Sequence, residues 1–178
     1  MEFDKDLTAR QEARELARRA ETAQRKLAEL PQSQLDAIVE AVAKAFAAQA
    51  SALAEMAVQE TGFGNAEDKT AKNLFASQRV AEAVRGMKTV GILREVPEKK
   101  LWEIGVPVGV IAAIVPSTNP TSTVCYKAMI ALKSGNAIVF SPHPKAIACT
   151  RKAAQIVSEA AQGAGAAADA VACLSIPS

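Results

Sequence analysis

Residues 114–123 bring together side chains that could bind a ligand. The sequence there is Ile-Val-Pro-Ser-Thr-Asn-Pro-Thr-Ser-Thr, so the end of a β-branched strand passes through two prolines into a polar turn. The polar groups include the amide of Asn119 and the hydroxyls of Ser117, Thr118, Ser122 and Thr123. An apolar strand followed by a polar turn and a helix is how α/β proteins build a ligand-binding edge at the carboxyl end of a sheet. The run is therefore predicted to form a ligand-binding turn.

A second turn, Ser141–Pro144, carries the only histidine of the chain, His143, between two prolines. The prolines restrict the backbone, so the ring is expected to sit on a rigid turn, where it could donate to a ribose hydroxyl or stack on a base. Helix N-termini after both turns would suit phosphate or ribose. Neither turn contains G-x-G-x-x-G, so the spacing alone equally allows that the prolines and hydroxyls only cap helices.

The cysteines at 125, 149 and 173 lie far apart, without metal-ligand spacing or a nearby histidine cluster. A nucleophilic cysteine needs a lowered pKa and an acceptor pocket. Cys125 falls in the helix after the first turn, Cys149 on an apolar helix face and Cys173 in a strand. We therefore predict buried, reduced, structural thiols in a cytoplasmic protein, and no metal site.

The elements before residue 88 are predicted to be helices. Apolar residues at helical spacing place them at residues 4–30, 33–48, 51–61 and 66–86. Ser33 is the expected N-cap of the second helix. The segment Glu60–Gly64, with Glu67 and Asp68 after it, is interpreted as helix ends rather than as a site.

From residue 89 onward the apolar period changes from 3.6 to 2. Val90–Val96 and Leu101–Ile104 flank a charged turn and predict a β-hairpin. Val106–Val115 is nearly continuous apolar sequence, which predicts a strand buried on both faces. The remaining elements are predicted as a helix at 121–134, a strand at 136–140, a helix at 145–163 and a strand at 171–176.

Together these elements predict an α/β fold. A helical leader and a hairpin precede a β-α-β-α-β unit, and right-handed crossovers would place its three strands side by side in one parallel, Rossmann-like sheet. The corresponding segments are residues 1–88, the helical leader; residues 89–105, the hairpin; and residues 106–178, the Rossmann-like β-α-β-α-β unit.

Composition excludes several functional classes. The net charge of +2 comes from bases interleaved with acids, and aromatic residues make up only 4% of the chain, so a nucleic-acid surface is not expected. No apolar run approaches the roughly 20 residues of a membrane span, and residues 1–20 are too charged to be a secretory signal.

The chain resembles the CoA-acylating branch of the aldehyde dehydrogenase superfamily. This branch includes acetaldehyde and propionaldehyde dehydrogenases and the aldehyde dehydrogenase half of bifunctional aldehyde–alcohol dehydrogenases. The matching stretches are Gly62-Phe63-Gly64 with Glu67-Asp68-Lys69, Lys72-Asn73 with Phe75-Ala76-Ser77, Pro107–Val110, Ile114–Thr123 and Asn136–Pro144. The last two are specific, since non-acylating relatives carry Pro-Trp-Asn and Lys-Pro in the corresponding turns.

The resemblance implies roles for both turns. Pro116, Ser117, Thr118 and Asn119 would run beneath the nicotinamide end of NAD, with Ile114 and Val115 lining that pocket, and Ser141, Pro142, His143 and Pro144 would face the adenosine ribose. Non-acylating relatives hold the ribose with a lysine at the position of Ser141 and a glutamate at that of Pro144. Their oxyanion-binding amide aligns with Thr118, whereas the amide here is Asn119, so either residue could support the oxyanion.

The resemblance also implies a reaction. A cysteine attacks the aldehyde, hydride passes to NAD, and the resulting thioester is transferred to coenzyme A. That cysteine lies about a hundred residues beyond position 178 in the family, as do the second catalytic domain and the oligomerisation segment. The chain is accordingly expected to be the N-terminal part of a homo-oligomeric enzyme and to be inactive alone. NADP remains an alternative cofactor, because no acidic residue ends the second parallel strand.

Two non-enzymatic alternatives stay open at this point. Some acylating dehydrogenases enter bacterial microcompartments through an N-terminal amphipathic helix, and residues 4–30 are amphipathic, although no Gly/Pro/Ser-rich linker follows them. The chain could therefore be a targeting or assembly module that contacts a shell. It could also be a stand-alone nucleotide-binding module.

Overall fold

The computed structural model describes residues 4–176, and its N-terminal part is helical. The helices there are α1 (Lys5–Leu27), α2 (Gln32–Ala48), α3 (Ala50–Thr61), α4 (Ala66–Leu74) and α5 (Val80–Val84). A π-helical turn, Phe75–Arg79, joins α4 to α5, so the helix predicted at 66–86 is one helical segment with a local widening. The four predicted helices are confirmed.

The start of α2 differs from the prediction. Pro31 is its N-cap residue, and no side chain caps the helix there. Ser33 lies inside the first turn, so the prediction that it is the N-cap was wrong. The physical reason is the backbone of Pro31, whose φ of −68° and ψ of 157° lead an extended chain directly into the helix.

The strands form two separate sheets. β1 (Gly91–Val96) and β2 (Leu101–Gly105) make the predicted antiparallel hairpin, and β3 (Val110–Val115), β4 (Ala137–Pro142) and β5 (Val171–Cys173) make a parallel sheet in the order β3-β4-β5. The crossovers are α6 (Pro120–Lys133) and α7 (Ile147–Gly163). The predicted α/β class and the adjacency of the three parallel strands are confirmed.

Helices cover both faces of the parallel sheet. Helix α1 packs against its three strands on one side, α6 and α7 pack on the other, and α2 lies against α6 and α7. Leu16, Ala20 and Leu27 of α1 are buried in this contact. The apolar face that a targeting helix would offer to a shell is thus largely used inside the fold, which disfavours the targeting alternative.

Strand β3 is shorter and less buried than predicted. It begins at Val110 because Pro107 and Gly109 interrupt the extended run, and the side chain of Asn136 accepts the N–H groups of Val108 (2.7 Å) and Gly109 (2.9 Å). Within the strand Ala113 and Val115 are buried, whereas Ala112 and Ile114 are exposed. The prediction of burial on both faces was wrong, and the alternation leaves Ile114 open at the carboxyl edge.

Among residues 4–176, no group of three or more His, Cys, Asp or Glu side chains is arranged to hold a metal ion. Within the same range no single helix is sufficiently long and apolar to cross a membrane, although the bent pair α2–α3 has the length and composition to do so.

Candidate functional site

The two predicted turns meet at the carboxyl edge of the parallel sheet. In the β3–β4 ladder Ile114 is paired with Ser141 and Val115 with Pro142. The backbone N–H of His143 then donates to the carbonyl of Val115 at 3.1 Å, which joins the two turns directly. Residues predicted from separate stretches of sequence therefore lie side by side.

Alternation along β3 decides which side chains reach this edge. Ile114 is 77% exposed, whereas Val115 is fully buried in the core. The expectation that both line a cofactor pocket is corrected for Val115, because successive side chains point to opposite faces of a sheet. Pro116 and Thr118 are exposed, and Ser117 and Asn119 are half-buried.

The second turn presents a hydrogen-bond donor. His143 and Pro144 are exposed, Ser141 is half-buried and the side chain of Pro142 is buried. The Nδ1 atom of His143 accepts the backbone N–H of Lys145 at 3.1 Å, so the neutral ring carries its proton on Nε2. That Nε2–H could donate to a hydroxyl, so the role expected for His143 stays a prediction.

The N-terminus of α7 is already occupied. The carboxylate of Glu60, at the end of α3, accepts the N–H groups of Ala148 and Cys149, each at 2.7 Å. Burial raises the pKa of Glu60, but the hydrogen bonds from Cys149 and Ala148 outweigh it, so the pKa lies below its ordinary value. A phosphate has no free helix N-terminus here, which corrects the expectation that both turns offer one.

Protonating Glu60 is expected to weaken this contact. Because its pKa is lower in the folded chain, the stabilisation is complete above the unfolded pKa of about 4.3 and is lost as the pH falls through the folded value. We expect Glu60→Gln to lower the free energy of unfolding at pH 7 by about 1 kcal/mol, the usual worth of a helix cap, and by much less near pH 3. Urea titrations at both pH values measure this.

A matched variant separates Glu60 from the other capping-type carboxylate. Glu12 accepts hydrogen bonds from Ser175 and Ile176, and its pKa is also lowered, because these bonds outweigh burial. Glu12→Gln should remove the contribution of Glu12 to the acid-induced decrease in the free energy of unfolding. The double variant should remove the contributions of both carboxylates. An equal loss for Glu60→Gln at pH 3 and pH 7 would contradict the assignment.

Side chains on one face of α4 form hydrogen bonds with the first turn, and the sequence analysis did not predict these contacts. The Lys69 ammonium donates to the Thr118 carbonyl at 2.6 Å, and Lys72 donates to Oδ1 of Asn119 at 3.3 Å. Oδ1 of Asn73 accepts the Thr121 hydroxyl at 2.8 Å. Positions 69, 72 and 73 share a helix face, and this spacing was the signal that could have found them.

The three cysteines differ in their exposure to solvent. Cys125 and Cys149 are fully buried and Cys173 is half-buried, which confirms the prediction of buried thiols for the first two. Burial raises the pKa of Cys125 far above its ordinary value and raises the pKa of Cys149 and of Cys173 to about 12. None is suited to act as a nucleophile.

Comparison with known proteins shows the family to which the chain is similar. The model of the aldehyde dehydrogenase family matches residues 5–174. A bifunctional aldehyde-alcohol dehydrogenase of Escherichia coli K12 is 47% identical over 163 residues, which are 92% of this chain and 18% of that protein. The chain thus spans about a fifth of the length of this curated relative.

Solved structures give the same result. An acetylating aldehyde dehydrogenase from Geobacillus thermoglucosidasius superimposes with a TM-score of 0.97 at 52% identity, covering 98% of this chain and 39% of that one. A propionaldehyde dehydrogenase from Rhodopseudomonas palustris, solved with bound CoA and an acylated cysteine, superimposes with a TM-score of 0.75 at 27% identity, covering 92% of this chain and 37% of that one.

Proposed function

Because this chain belongs to the aldehyde dehydrogenase family, we propose that its two turns form the cofactor side of a CoA-acylating aldehyde dehydrogenase. In the proposed reaction an aldehyde is oxidised with NAD through a cysteine thioester, and the acyl group passes to coenzyme A. The observation that carries this proposal is the junction of the two turns, where the N–H of His143 binds the carbonyl of Val115 at the open carboxyl edge.

The donor set of this edge fits a nicotinamide dinucleotide. Ser141 and Nε2–H of His143 can bind ribose hydroxyls, and the exposed side chain of Ile114 offers an apolar wall for the nicotinamide end. When bound, the cofactor supplies the hydride acceptor. NAD is the proposed species and NADP the alternative, since β4 ends in Ser141 and Pro142 rather than in an acid that would repel a 2′-phosphate.

Asn119 is the proposed oxyanion support, with Thr118 as the alternative that the sequence left open. Thr118 is held through its main-chain carbonyl, and its exposed side chain has no hydrogen-bond partner within residues 4–176. The carboxamide of Asn119 has one fixed contact and a remaining donor. The nucleophile is not proposed among the three cysteines, so the chain by itself is expected to bind cofactor without turnover.

The remaining parts of the proposal concern partners and location. The R. palustris relative binds CoA, which supports CoA as co-substrate here; the identity of the aldehyde is left open. The hairpin exposes Leu101, Trp102 and Ile104, and such an apolar patch supports a homo-oligomer. Buried reduced thiols fit a cytoplasmic location. Association with a microcompartment shell is the weaker alternative, given the packing of α1.

Cofactor binding can be measured on this chain. We expect NAD at 100 times its Kd to raise the free energy of unfolding by about 2.7 kcal/mol, or the Tm by about 5–10 °C. The variant Ser141→Lys with Pro144→Glu, which restores the ribose-binding pair of non-acylating relatives, should tighten NAD by about tenfold through two added hydrogen bonds. Calorimetric titration measures the affinity, and NADP in parallel decides between the cofactors.

Ser158→Lys is the matched control. It introduces a lysine, as Ser141→Lys does, but about 16 Å along α7 from Ile147, away from the carboxyl edge, and it should leave the NAD affinity unchanged. A chain that unfolds cooperatively but shows no NAD-dependent shift would contradict the proposed function. NADH formation with aldehyde and CoA that Cys125→Ser abolishes would contradict the proposed absence of a nucleophile.

A further inference from the structure

Helix α4 holds the first turn by three side chains from a single face. Lys69, Lys72 and Asn73 bind successive parts of the segment 118–121: a main-chain carbonyl, a side-chain amide oxygen and a buried hydroxyl. The backbone of α4 is itself anchored at its start, where the Asn65 side chain accepts the N–H of Asp68 at 2.8 Å. The turn is thus attached to a rigid element rather than only to its own loop.

Lys69 is expected to stabilise the fold less than an apolar side chain of similar shape would at the same position. Its side chain is buried, with 6% of the residue exposed, and no acidic group pairs with it within residues 4–176. Burial lowers the pKa of Lys69, and the nearby positive charge of Lys72 lowers it further. A buried ammonium held by one carbonyl carries a desolvation cost that an apolar side chain of similar shape avoids.

The side chain of Asn119 is turned away from the role that its position favours. Asn119 is the N-cap residue of α6, where an asparagine oxygen normally accepts an N–H of the first helical turn. No such bond forms, and Oδ1 instead accepts from Lys72. Since an ammonium can only donate, this contact fixes which end of the amide is oxygen and leaves Nδ2–H as the free donor. A cation on Oδ1 also polarises the amide, which strengthens that donor.

We propose that Lys69 and Lys72 are positioning residues that aim the Asn119 carboxamide: Lys69 fixes the main chain of the turn, and Lys72 holds Oδ1 so that Nδ2–H donates to the oxygen of a bound aldehyde or thioester. This inference rests on the proposed function for the identity of that oxygen. The position and orientation of the amide are properties of this chain and can be measured without turnover.

The Lys69 half is tested with Lys69→Met and Lys69→Arg in ¹⁵N-labelled chain. For Lys69→Met we expect the backbone order parameters of Thr118 and Asn119 to fall from about 0.85 toward 0.6, while the Tm stays equal or rises. Lys69→Arg, which keeps a donor, should restore the order parameters. Unchanged order parameters, or a variant that loses its fold, would overturn the role, because Lys69 would then be a structural residue.

The Lys72 half is tested with Lys72→Met and Lys72→Arg, at an exposed position where folding is not at risk. Asn119→Asp identifies the Asn119 side-chain amide resonance by its disappearance. We expect that resonance to shift in Lys72→Met and to return in Lys72→Arg, with no change in Tm. An Asn119 side-chain amide resonance that does not shift in Lys72→Met would contradict the proposal.

NAD titration keeps this inference separate from the proposed function. If the wild-type chain binds no NAD, the proposed function fails while the order-parameter and amide readouts still decide whether the lysines position the turn. If it binds NAD, Lys69→Met should weaken binding by about tenfold, the loss expected when a charge-assisted hydrogen bond no longer fixes the turn. Undiminished NAD binding by a turn that has become mobile would contradict a positioning role.

Discussion

Replacing Asn73 by leucine is expected to lower the free energy of unfolding by about 2–4 kcal/mol. Asn73 is 1% exposed; its Nδ2 donates to the Ala50 carbonyl at 2.9 Å, and its Oδ1 accepts the Thr121 hydroxyl at 2.8 Å. Leucine can make neither bond, so the buried hydroxyl loses its partner and the carbonyl loses one of its contacts. Urea denaturation followed by circular dichroism measures the loss.

The effect should extend to the candidate site. Thr121 lies in the first turn of α6, directly after the Thr118–Asn119 turn, so a weakened α4–α6 contact should also weaken NAD binding. Thr121→Val in the Asn73→Leu background removes the orphaned hydroxyl and should recover about 1–2 kcal/mol of stability. A single variant within 0.5 kcal/mol of wild type, or a double variant with no recovery, would show that the network does not stabilise the fold.

Replacing Asp36 by asparagine is expected to lower the free energy of unfolding by about 2–3 kcal/mol. Asp36 pairs with the ammonium of Lys133 at 2.5 Å, and the Lys133 side chain is only 4% exposed. Asparagine keeps the volume but leaves the buried charge of Lys133 uncompensated. The expected loss is below the usual range for fully buried pairs, because the Asp36 side chain is 37% exposed and water screens it.

Removing Asp36 and removing Lys133 should have unequal effects on stability, because only the lysine side chain is fully buried. Lys133→Met should cost less than 1 kcal/mol, because the Asp36 that remains can turn to water, and the double variant should be close to Lys133→Met alone. Glu40→Gln, which breaks the exposed pair with Arg85, is the matched control and should change stability by less than about 0.5 kcal/mol. Equal costs for Asp36→Asn and Lys133→Met would contradict this account. Thermal and urea unfolding measure both.

Local patterns predicted the elements well. The helices before residue 88, the hairpin and the parallel β-α-β-α-β order all follow from apolar periodicity and from Pro and Gly positions, which act over a few residues. The errors arose where contacts of single residues decided the local structure, which apolar periodicity does not show. Pro31, not Ser33, is the N-cap residue of α2, and Asn136 binds the N–H groups of Val108 and Gly109, which lie outside the β3 ladder.

The residues of the candidate site were proposed from the sequence, whereas their arrangement was not. The sequence placed Ile114, Asn119, Ser141 and His143 in two turns after two strands, and the resemblance gave those turns a shared ligand. It placed Val115 in the same pocket, whereas strand alternation buries that side chain. It treated Glu60 as the end of its own helix. The structure shows that the Glu60 carboxylate caps α7 by accepting the N–H of Cys149, which lies 89 residues further along the chain.

By itself the sequence determined the fold class, the order of the elements and the chemical character of the two turns, because neighbouring residues encode these features. Only the tertiary structure decided which groups hold the turns. Lys69 meets Thr118 across 49 residues, and Lys72 meets Asn119 across 47. No propensity extends over such separations; these contacts exist because α4 packs against the start of α6. The sequence supplied the amide of Asn119, and packing determined where that amide points.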